Sequence, residues 1–212
     1  DMRGPVSTLH MLLKELATSQ SERLDDEGRK LLDLSKQTLT RMQDRITSVL
    51  RYTHVVGEPA TLEPLNLNQL VKTVVEDLAT DLTGDGASDN NHDHPVVRGD
   101  PRTLPLLFHN LICNALKFSG DHQPVAIEIH AGEDIVDQRV LIHVQDNGIG
   151  IDPIHTDRIF ELFGLLHLEH EYPGHGLGLA ICRRIALNHG GNITVQSAPG
   201  EGSIFSVSLA AL

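Results

Sequence analysis

The feature that most constrains this chain is a long apolar stripe in its first quarter. Between residues 24 and 53, apolar side chains recur at alternating spacings of three and four residues, which is the pattern of a heptad seam on an α-helix. The seam consists of Leu32, Leu39, Met42, Ile46 and Val49, interrupted only by the polar Ser35. A helix of this length, roughly 45 Å at about 1.5 Å per residue, cannot bury such a seam alone.

A shorter helical stripe precedes the seam. The segment between the two stripes, SQSE from Ser19 to Glu22, fits a capping box that starts a second helix. We therefore predict an antiparallel helical hairpin over residues 1–57, which forms a four-helix bundle with a second copy of the chain in a homodimer. The alternative is one intramolecular hairpin that packs on the rest of the chain. The members of the shorter stripe are Val6, Leu9, Leu13 and Leu16.

The remaining sequence alternates between helical and strand periodicities. Residues 58–65 are predicted to be a linker, because their paired prolines interrupt both helix and strand. Residues 66–212 are predicted to form a second domain, in which helices lie on a largely antiparallel sheet as a two-layer α/β sandwich. The whole chain is then of the α+β class. Helical patterns occur near 67–82, 100–118 and 176–189, and alternating patterns near 125–129, 140–144, 193–195 and 205–209.

Charge and composition narrow the possible partners and compartments. The net charge of −12 argues against a broad electrostatic surface for nucleic acid, so no nucleic-acid partner is expected. Cys113 and Cys182 lie within apolar helical patterns and are predicted to be reduced, buried thiols. With no visible signal peptide or membrane-spanning stretch, we expect a cytoplasmic location, and an anchor upstream of Asp1 remains compatible with the sequence.

The first candidate site motif is NLICNALKFS, from Asn110 to Ser119. On a helix, Asn110, Asn114 and Lys117 lie at i, i+4 and i+7 and share one face. An amide oxygen is a hard ligand that suits Mg²⁺, and a lysine suits a phosphate. The alternative interpretation is a solvated helix face.

The second motif is QDNGIGI, which contains Asp146, Gly148 and Gly150. Taken alone, Asp-Asn-Gly after a strand is typical of a tight turn. The alternative is that the Asp146 carboxylate accepts a hydrogen bond from an exocyclic amine. The two glycines would then let the backbone approach the flat face of a base.

The third motif is GHGLGLAI, in which Gly174, Gly176 and Gly178 open a predicted helix. Free backbone amides at a helix N-terminus attract anions, so the motif indicates a phosphate site. Its spacing differs from those of the Walker loop and the Rossmann fingerprint, which excludes both folds.

Together, and in this order, the three motifs resemble the catalytic and ATP-binding domain of sensor histidine kinases, within the superfamily that includes gyrase, mismatch-repair and chaperone ATPases. NLICNALKF resembles the N box, DNGIG the first glycine box and GHGLGLA the second, while FELF from Phe160 to Phe163 matches the F box. The resemblance covers essentially the whole chain. The segment LLHLEHEYPGHGLGLAI is similar to the lid of phytochrome-like kinases.

The resemblance implies a site for ATP and Mg²⁺. Asp146 is expected to bind the adenine amino group, Asn114 to ligate Mg²⁺, Lys117 to contact phosphate and Asn110 to lie near the transferring group. The residues expected to surround the nucleotide further include Gly148, Gly150, Gly174, His175, Gly176, Leu177 and Gly178. Two groups of residues are of the types that bind zinc, but no zinc site is expected at either, because mobile polar segments carry such residues for other reasons. They are His167, His170 and His175 with Glu169 and Glu171 on the lid segment, and His92, Asp93 and His94.

The first residues, DMRGPV, resemble the end of the family's H box. The resemblance implies that the phosphoacceptor histidine stands immediately before Asp1, and that Asp1 orients its ring. Gly4 stands where many relatives carry Thr or Asn, so phosphatase activity is not expected. Implied partners are a response-regulator receiver domain and an upstream sensor domain. The alternatives are a non-kinase ATPase of the same superfamily and a pseudokinase that acts as a dimeric scaffold.

Overall fold

The structure is a computed structural model. It describes residues 3–19, 24–79, 95–120, 125–134, 139–164 and 176–212. The chain divides into two compact units, Asp1–Thr53 and His54–Leu212. Across the described ranges, no helix combines the length and the apolar character that crossing a membrane requires.

The first unit consists of helices. Helix α1 spans Arg3–Ser19, and α2 spans Asp26–Gly57 and ends inside the second unit. The Gly28 N–H donates to the Asp25 Oδ1 atom over 2.8 Å, which satisfies one of the free amides of the first turn of α2. The predicted capping box lies largely outside the described residues, and Asp25 caps the helix in its place.

The predicted seam is unevenly covered. Leu32 and Leu39 are buried, Ile46 and Val49 are half-buried, and Met42 is 50% exposed. Val6 of α1 is buried as well. Several large apolar side chains of both helices stay in contact with water, which is costly for an isolated chain. They are Leu9, Met11, Leu12 and Leu16 of α1 and Leu31, Leu34 and Met42 of α2.

Within its described residues, the second unit contains two sheets. Strands β3 (Ile127–Asp134), β4 (Arg139–Asp146), β6 (Ser203–Ala210) and β5 (Ile193–Ser197) form, in that order, an antiparallel four-stranded sheet. Strand β1 (Glu63–Asn66) pairs with β2 (Val96–Gly99) in a two-stranded antiparallel sheet. Two short 3-10 helices, Pro153–His155 and Arg158–Phe160, follow β4. The elements are β1 Glu63–Asn66, α3 Leu67–Ala79, β2 Val96–Gly99, α4 Leu104–Lys117, β3 Ile127–Asp134, β4 Arg139–Asp146, α5 Gly178–Asn188, β5 Ile193–Ser197 and β6 Ser203–Ala210.

The core of this unit lies between the four-stranded sheet and the helices α4 and α5. Alternate residues of β4 and β6 are buried, as expected for strands with one covered face. The Phe160 ring meets the Phe205 ring edge-on, with 6.4 Å between centroids. The combination of helices with an antiparallel sheet confirms that part of the predicted architecture. The core includes Leu104, Leu107, Phe108, Leu111, Ile112, Ile142, Val144, Ile185, Val207 and Leu209.

The structure differs from the prediction in the segment expected to be a linker. Glu63–Asn66 forms strand β1, with Leu65 opposite Val97. Pro64 is tolerated because β1 is an edge strand with a hydrogen-bonded neighbour on one side only, which is where proline is found in sheets. Its partner strand β2 was not predicted either. The compact units divide at Thr53, within α2.

Asp100, which follows β2, joins the segment predicted to be a linker to other parts of the second unit. Its fully buried carboxylate accepts hydrogen bonds from the Thr61 N–H and from the backbone and side chain of Arg102. The Asp100 N–H donates to His189 Nε2 over 2.9 Å. Arg102 also binds Glu58 over 2.9 Å. Burial alone would raise the pKa of the Asp100 carboxyl, but the donors from Arg102 and Thr61 outweigh burial and lower it.

We expect Asp100→Asn to destabilise the chain by about 2 kcal/mol or more, because hydrogen bonds to a charged group contribute about 1.5–3 kcal/mol each. The exposed ion pair between Arg102 and Glu58 supplies a matched control. Glu58→Gln is expected to lower the free energy of unfolding by less than about 1 kcal/mol. Because the folded-state pKa of Asp100 is lowered, its contribution is complete above the ordinary value of 3.8 and is lost as the pH falls below it. Urea unfolding of both variants across this pH range measures the difference; equal losses would contradict the prediction.

Candidate functional site

Helix α4 is the shared support of the predicted site, and its residue Asn110 faces the start of α5. The Asn110 Oδ1 atom lies 3.6 Å from the position that a Cβ at Gly178 would take. A glycine at the first residue of α5 therefore leaves space directly beside the Asn110 amide. The predicted N box and second glycine box meet here.

The Asn110 side chain carries a donor that is at most weakly satisfied. Its Nδ2 atom is buried and makes no well-formed hydrogen bond with the described residues. Burial raises the pKa of the adjacent Cys182 thiol so that it stays neutral, while its interaction with the Asn110 side chain acts less strongly in the opposite direction. A neutral thiol is a weak acceptor, so a ligand with an oxygen acceptor would satisfy the Asn110 donor better.

Asn114 and Lys117 follow Asn110 on the same helix face, and both are half-buried. The Lys117 Nζ atom lies 4.4 Å from the centroid of the Phe118 ring, a cation–π distance. Burial lowers the pKa of Lys117. The lowered pKa reflects the cost of desolvating the charged ammonium, and a bound anion would offset that cost.

Asp146 lies at the end of β4 and is 9% exposed. Its Oδ1 atom accepts a hydrogen bond from the Gly148 N–H over 2.9 Å. Burial raises the pKa of the carboxyl, while hydrogen bonds from the backbone of Gly148 and Ser203 partly oppose the shift. The carboxylate is thus held in one orientation by the backbone.

The loop after Asp146 is attached to the end of α4. The Ile149 N–H donates to the Phe118 carbonyl over 2.9 Å, and a Cβ at Gly148 would lie 2.3 Å from the same oxygen. Only glycine permits this approach. The predicted first glycine box is therefore next to the end of the N box, and α4 joins all three motifs.

The turn between β5 and β6 supports the same loop, a role that the sequence reading missed. The Gly200 N–H donates to the Ile149 carbonyl over 2.7 Å, and the Ile151 N–H donates to Ser197 Oγ over 2.8 Å. A Cβ at Gly202 would lie 2.0 Å from the Asp146 carbonyl. The sequence signal for this role was the pair of glycines at 200 and 202, which both have a positive φ in the structure.

We expect Gly150→Ala to lower the free energy of unfolding by about 2 kcal/mol or more. Gly150 has a φ of 72°, and an added Cβ would lie 1.9 Å from the Ala198 carbonyl oxygen, so backbone strain and overpacking act together. Gly132→Ala is the matched control, since a Cβ there meets nothing within 4 Å. Thermal and urea unfolding measure both variants, and a Gly150→Ala protein as stable as the control would refute this.

The second glycine motif is only partly described. Gly176 has a φ of 65°, and its carbonyl accepts the Phe163 N–H over 3.0 Å. Leu177 is buried, and α5 begins at Gly178, two residues later than predicted. Gly174 and His175 lie outside the described residues, as do Asp1 and the histidines considered for zinc. Within the described ranges, no group of three possible metal ligands occurs.

Comparison with known proteins decides the family. Residues 99–211, which contain all three motifs, match the model of the histidine kinase-, DNA gyrase B- and HSP90-like ATPases. The chain belongs to this family. The chain is also similar to the phytochrome-like protein Cph1 of Synechocystis, with 35% identity over 209 residues. That match covers 99% of this chain and 28% of Cph1, so the chain spans little more than a quarter of that relative.

Solved structures of histidine kinases share the ATPase fold. Full-length ShkA, solved in complex with AMPPNP, superposes with a TM-score of 0.68 over 98% of this chain and 46% of ShkA, at 23% identity. The catalytic domain of the histidine kinase ThkA matches with a TM-score of 0.57 and 26% identity, over 71% of this chain and 95% of that domain. The predicted family is thereby confirmed, and the roles of individual site residues stay predictions.

Proposed function

We propose that this ATPase domain and its helical hairpin are the kinase core of a two-component sensor histidine kinase. The core would bind Mg-ATP, transfer the γ-phosphoryl group to a histidine immediately before Asp1, and pass it on to an aspartate of a response regulator. The observation that carries the proposal is the convergence on α4, where Asn110 faces Gly178 and Phe118 contacts the loop of Gly148.

Asp146 is proposed to select adenine. Its buried carboxylate is held by the Gly148 N–H, and one of its oxygens can accept a hydrogen bond from the exocyclic amine of the base. Gly148 and Gly150 are proposed to let the backbone approach the flat face of the base. Their missing Cβ atoms also let this loop pack against the carbonyls of Phe118 and Ala198, which holds the backbone beside the carboxylate.

The other end of the site is proposed to hold the phosphates. Lys117 supplies the positive charge, and the start of α5 presents free backbone N–H groups at Gly176, Leu177 and Gly178, with Gly174 and His175 preceding them. The buried Asn110 Nδ2, beside the weakly accepting Cys182 thiol, is proposed as a donor for a phosphate oxygen near the transferring group.

Asn114 is proposed as the protein ligand of Mg²⁺. Its amide oxygen is of the hard type that this ion prefers, and it lies one helical turn from both Asn110 and Lys117. When bound, Mg²⁺ would neutralise charge on the phosphate oxygens. Phosphoryl transfer depends mainly on positioning and on such neutralisation, so the chain needs no elaborate acid–base apparatus around it.

The exposed leucines of α1 and α2 support a homodimer through the hairpin, because a second copy would cover apolar side chains that one chain leaves in water. The seam-flanking surface of the hairpin is also the proposed docking site for a receiver domain. An upstream sensor domain and a cytoplasmic location complete the proposal, in keeping with the similarity to Cph1 over only part of that protein.

Nucleotide binding tests the proposal directly. In a calorimetric titration we expect the chain to bind ATP in the presence of Mg²⁺, and to bind it more weakly without Mg²⁺. We also expect it to prefer ATP to GTP, because guanine lacks the exocyclic amine at the position where Asp146 is proposed to accept a hydrogen bond. Absence of nucleotide binding, or equal binding of GTP, would contradict the assigned site.

A further inference from the structure

Two histidines lie side by side on the four-stranded sheet, away from the site described above. His130 of β3 stands directly opposite His143 of β4, and the centroids of their rings are 5.0 Å apart, with the ring planes tilted by 34°. Both side chains are half-buried. Residues alternate between the faces of a strand, so His143 and Asp146 lie on opposite faces of β4.

A hydrogen bond to one ring nitrogen of His143 leaves the other ring nitrogen available to a ligand. Its Nδ1 atom is 2.8 Å from Ser206 Oγ on the adjoining strand β6. This hydrogen bond orients the ring and leaves Nε2 as the nitrogen available to a ligand, as outer-shell partners do for metal-binding histidines.

We propose that His130 and His143 form a two-histidine site for a divalent transition-metal ion such as Zn²⁺, Ni²⁺ or Cu²⁺. Imidazole suits these ions, whereas Mg²⁺ prefers oxygen ligands. Two metal–nitrogen bonds of about 2.0–2.1 Å fit between rings whose centroids are 5.0 Å apart. The net charge of −12 favours cations near the surface.

The site is an open one. Among the described residues no third His, Cys, Asp or Glu completes it, so water fills the remaining positions and the ion exchanges readily. This differs from a closed structural zinc site, which has four protein ligands. The ion would link β3 to β4 on the sheet face opposite Asp146, separately from the proposed Mg-ATP site.

Titration of the full chain with ZnCl₂ and NiCl₂, without nucleotide and followed by calorimetry, tests the site. We expect one saturable equivalent whose affinity falls at least about tenfold in either His130→Ala or His143→Ala, because each variant leaves a single ligand. Ser206→Ala is expected to weaken binding about tenfold through the lost orientation of His143. His143→Gln preserves the size of the side chain, and thermal unfolding without metal identifies any variant that fails to fold.

Two controls separate this site from the other histidines. His155→Ala and the double variant His167→Ala/His170→Ala are expected to bind the metal as the parent chain does. With Cu²⁺, electron paramagnetic resonance should report two coordinating imidazole nitrogens in the parent and one in His143→Gln. Unchanged affinity in both single alanine variants, loss of binding in the His167/His170 variant instead, or no saturable binding at all would overturn the proposal.

Discussion

A version of this chain extended upstream through the residue before Asp1 is expected to become labelled when incubated with radiolabelled ATP and Mg²⁺. The label should be acid-labile and alkali-stable, as a phosphorylated histidine is, and replacing that histidine should reduce it to background. The reason is that a neutral imidazole presents the attacking lone pair, while the carboxylate of Asp1 orients the ring and takes up its other proton. Asp1→Asn in the extended version is expected to slow labelling by about 10²–10⁴-fold.

The chain that begins at Asp1 supplies the control, since it is expected to bind ATP without becoming labelled. ATP binding without any labelling of the extended version would favour a scaffold or a non-kinase ATPase of the same family. Label that survives acid, or that persists after the histidine is replaced, would place the acceptor elsewhere.

Asp146→Asn is expected to weaken ATP binding at least about tenfold, because a hydrogen bond to a charged group contributes about 1.5–3 kcal/mol. The amide can still accept a hydrogen bond, but it carries no charge, and its NH₂ group can face the amine of the base. Asp157→Asn, an exposed aspartate of the same unit, is the matched control and should bind as the parent does. Isothermal titration calorimetry with Mg-ATP measures all three proteins.

ATP binding is expected to depend on pH through the same Asp146 carboxylate. Burial raises the pKa of Asp146, and only the ionised form accepts the hydrogen bond with full charge. Affinity should therefore fall with decreasing pH through a midpoint above the ordinary value of 3.8, and Asp146→Asn should remove this dependence. Unchanged affinity in Asp146→Asn would remove this residue from the site.

Much of the second unit followed from periodicity, because helix and strand patterns are local properties of a chain. The stripe around Asn110 and Asn114 predicted α4 and the shared face of its polar residues, and the alternation at Val140, Ile142 and Val144 predicted β4. Helix α4 begins at Leu104, a few residues later than predicted, because residues 101–103 form a turn before it.

The predicted linker shows where local reasoning failed. Pro64 favoured a loop over a strand in the sequence. The short strand β1 forms nevertheless, because β2, at least thirty residues further along the chain, pairs with one of its edges. The support of the Asp146 loop by the turn at Gly200 and Gly202 was equally hidden, since it depends on how β6 pairs with β4.

The sequence by itself predicted the family, through the resemblance of its three motifs, and it predicted the types of most elements. The element types could be predicted because they depend on residue types at short, regular spacings. The tertiary structure decided that Asn110 faces Gly178, that Phe118 binds the loop of Ile149, and that Asp100 joins Thr61 to His189. These contacts join segments far apart in the chain, and only the packing of the helices on the sheet brings them within hydrogen-bonding distance.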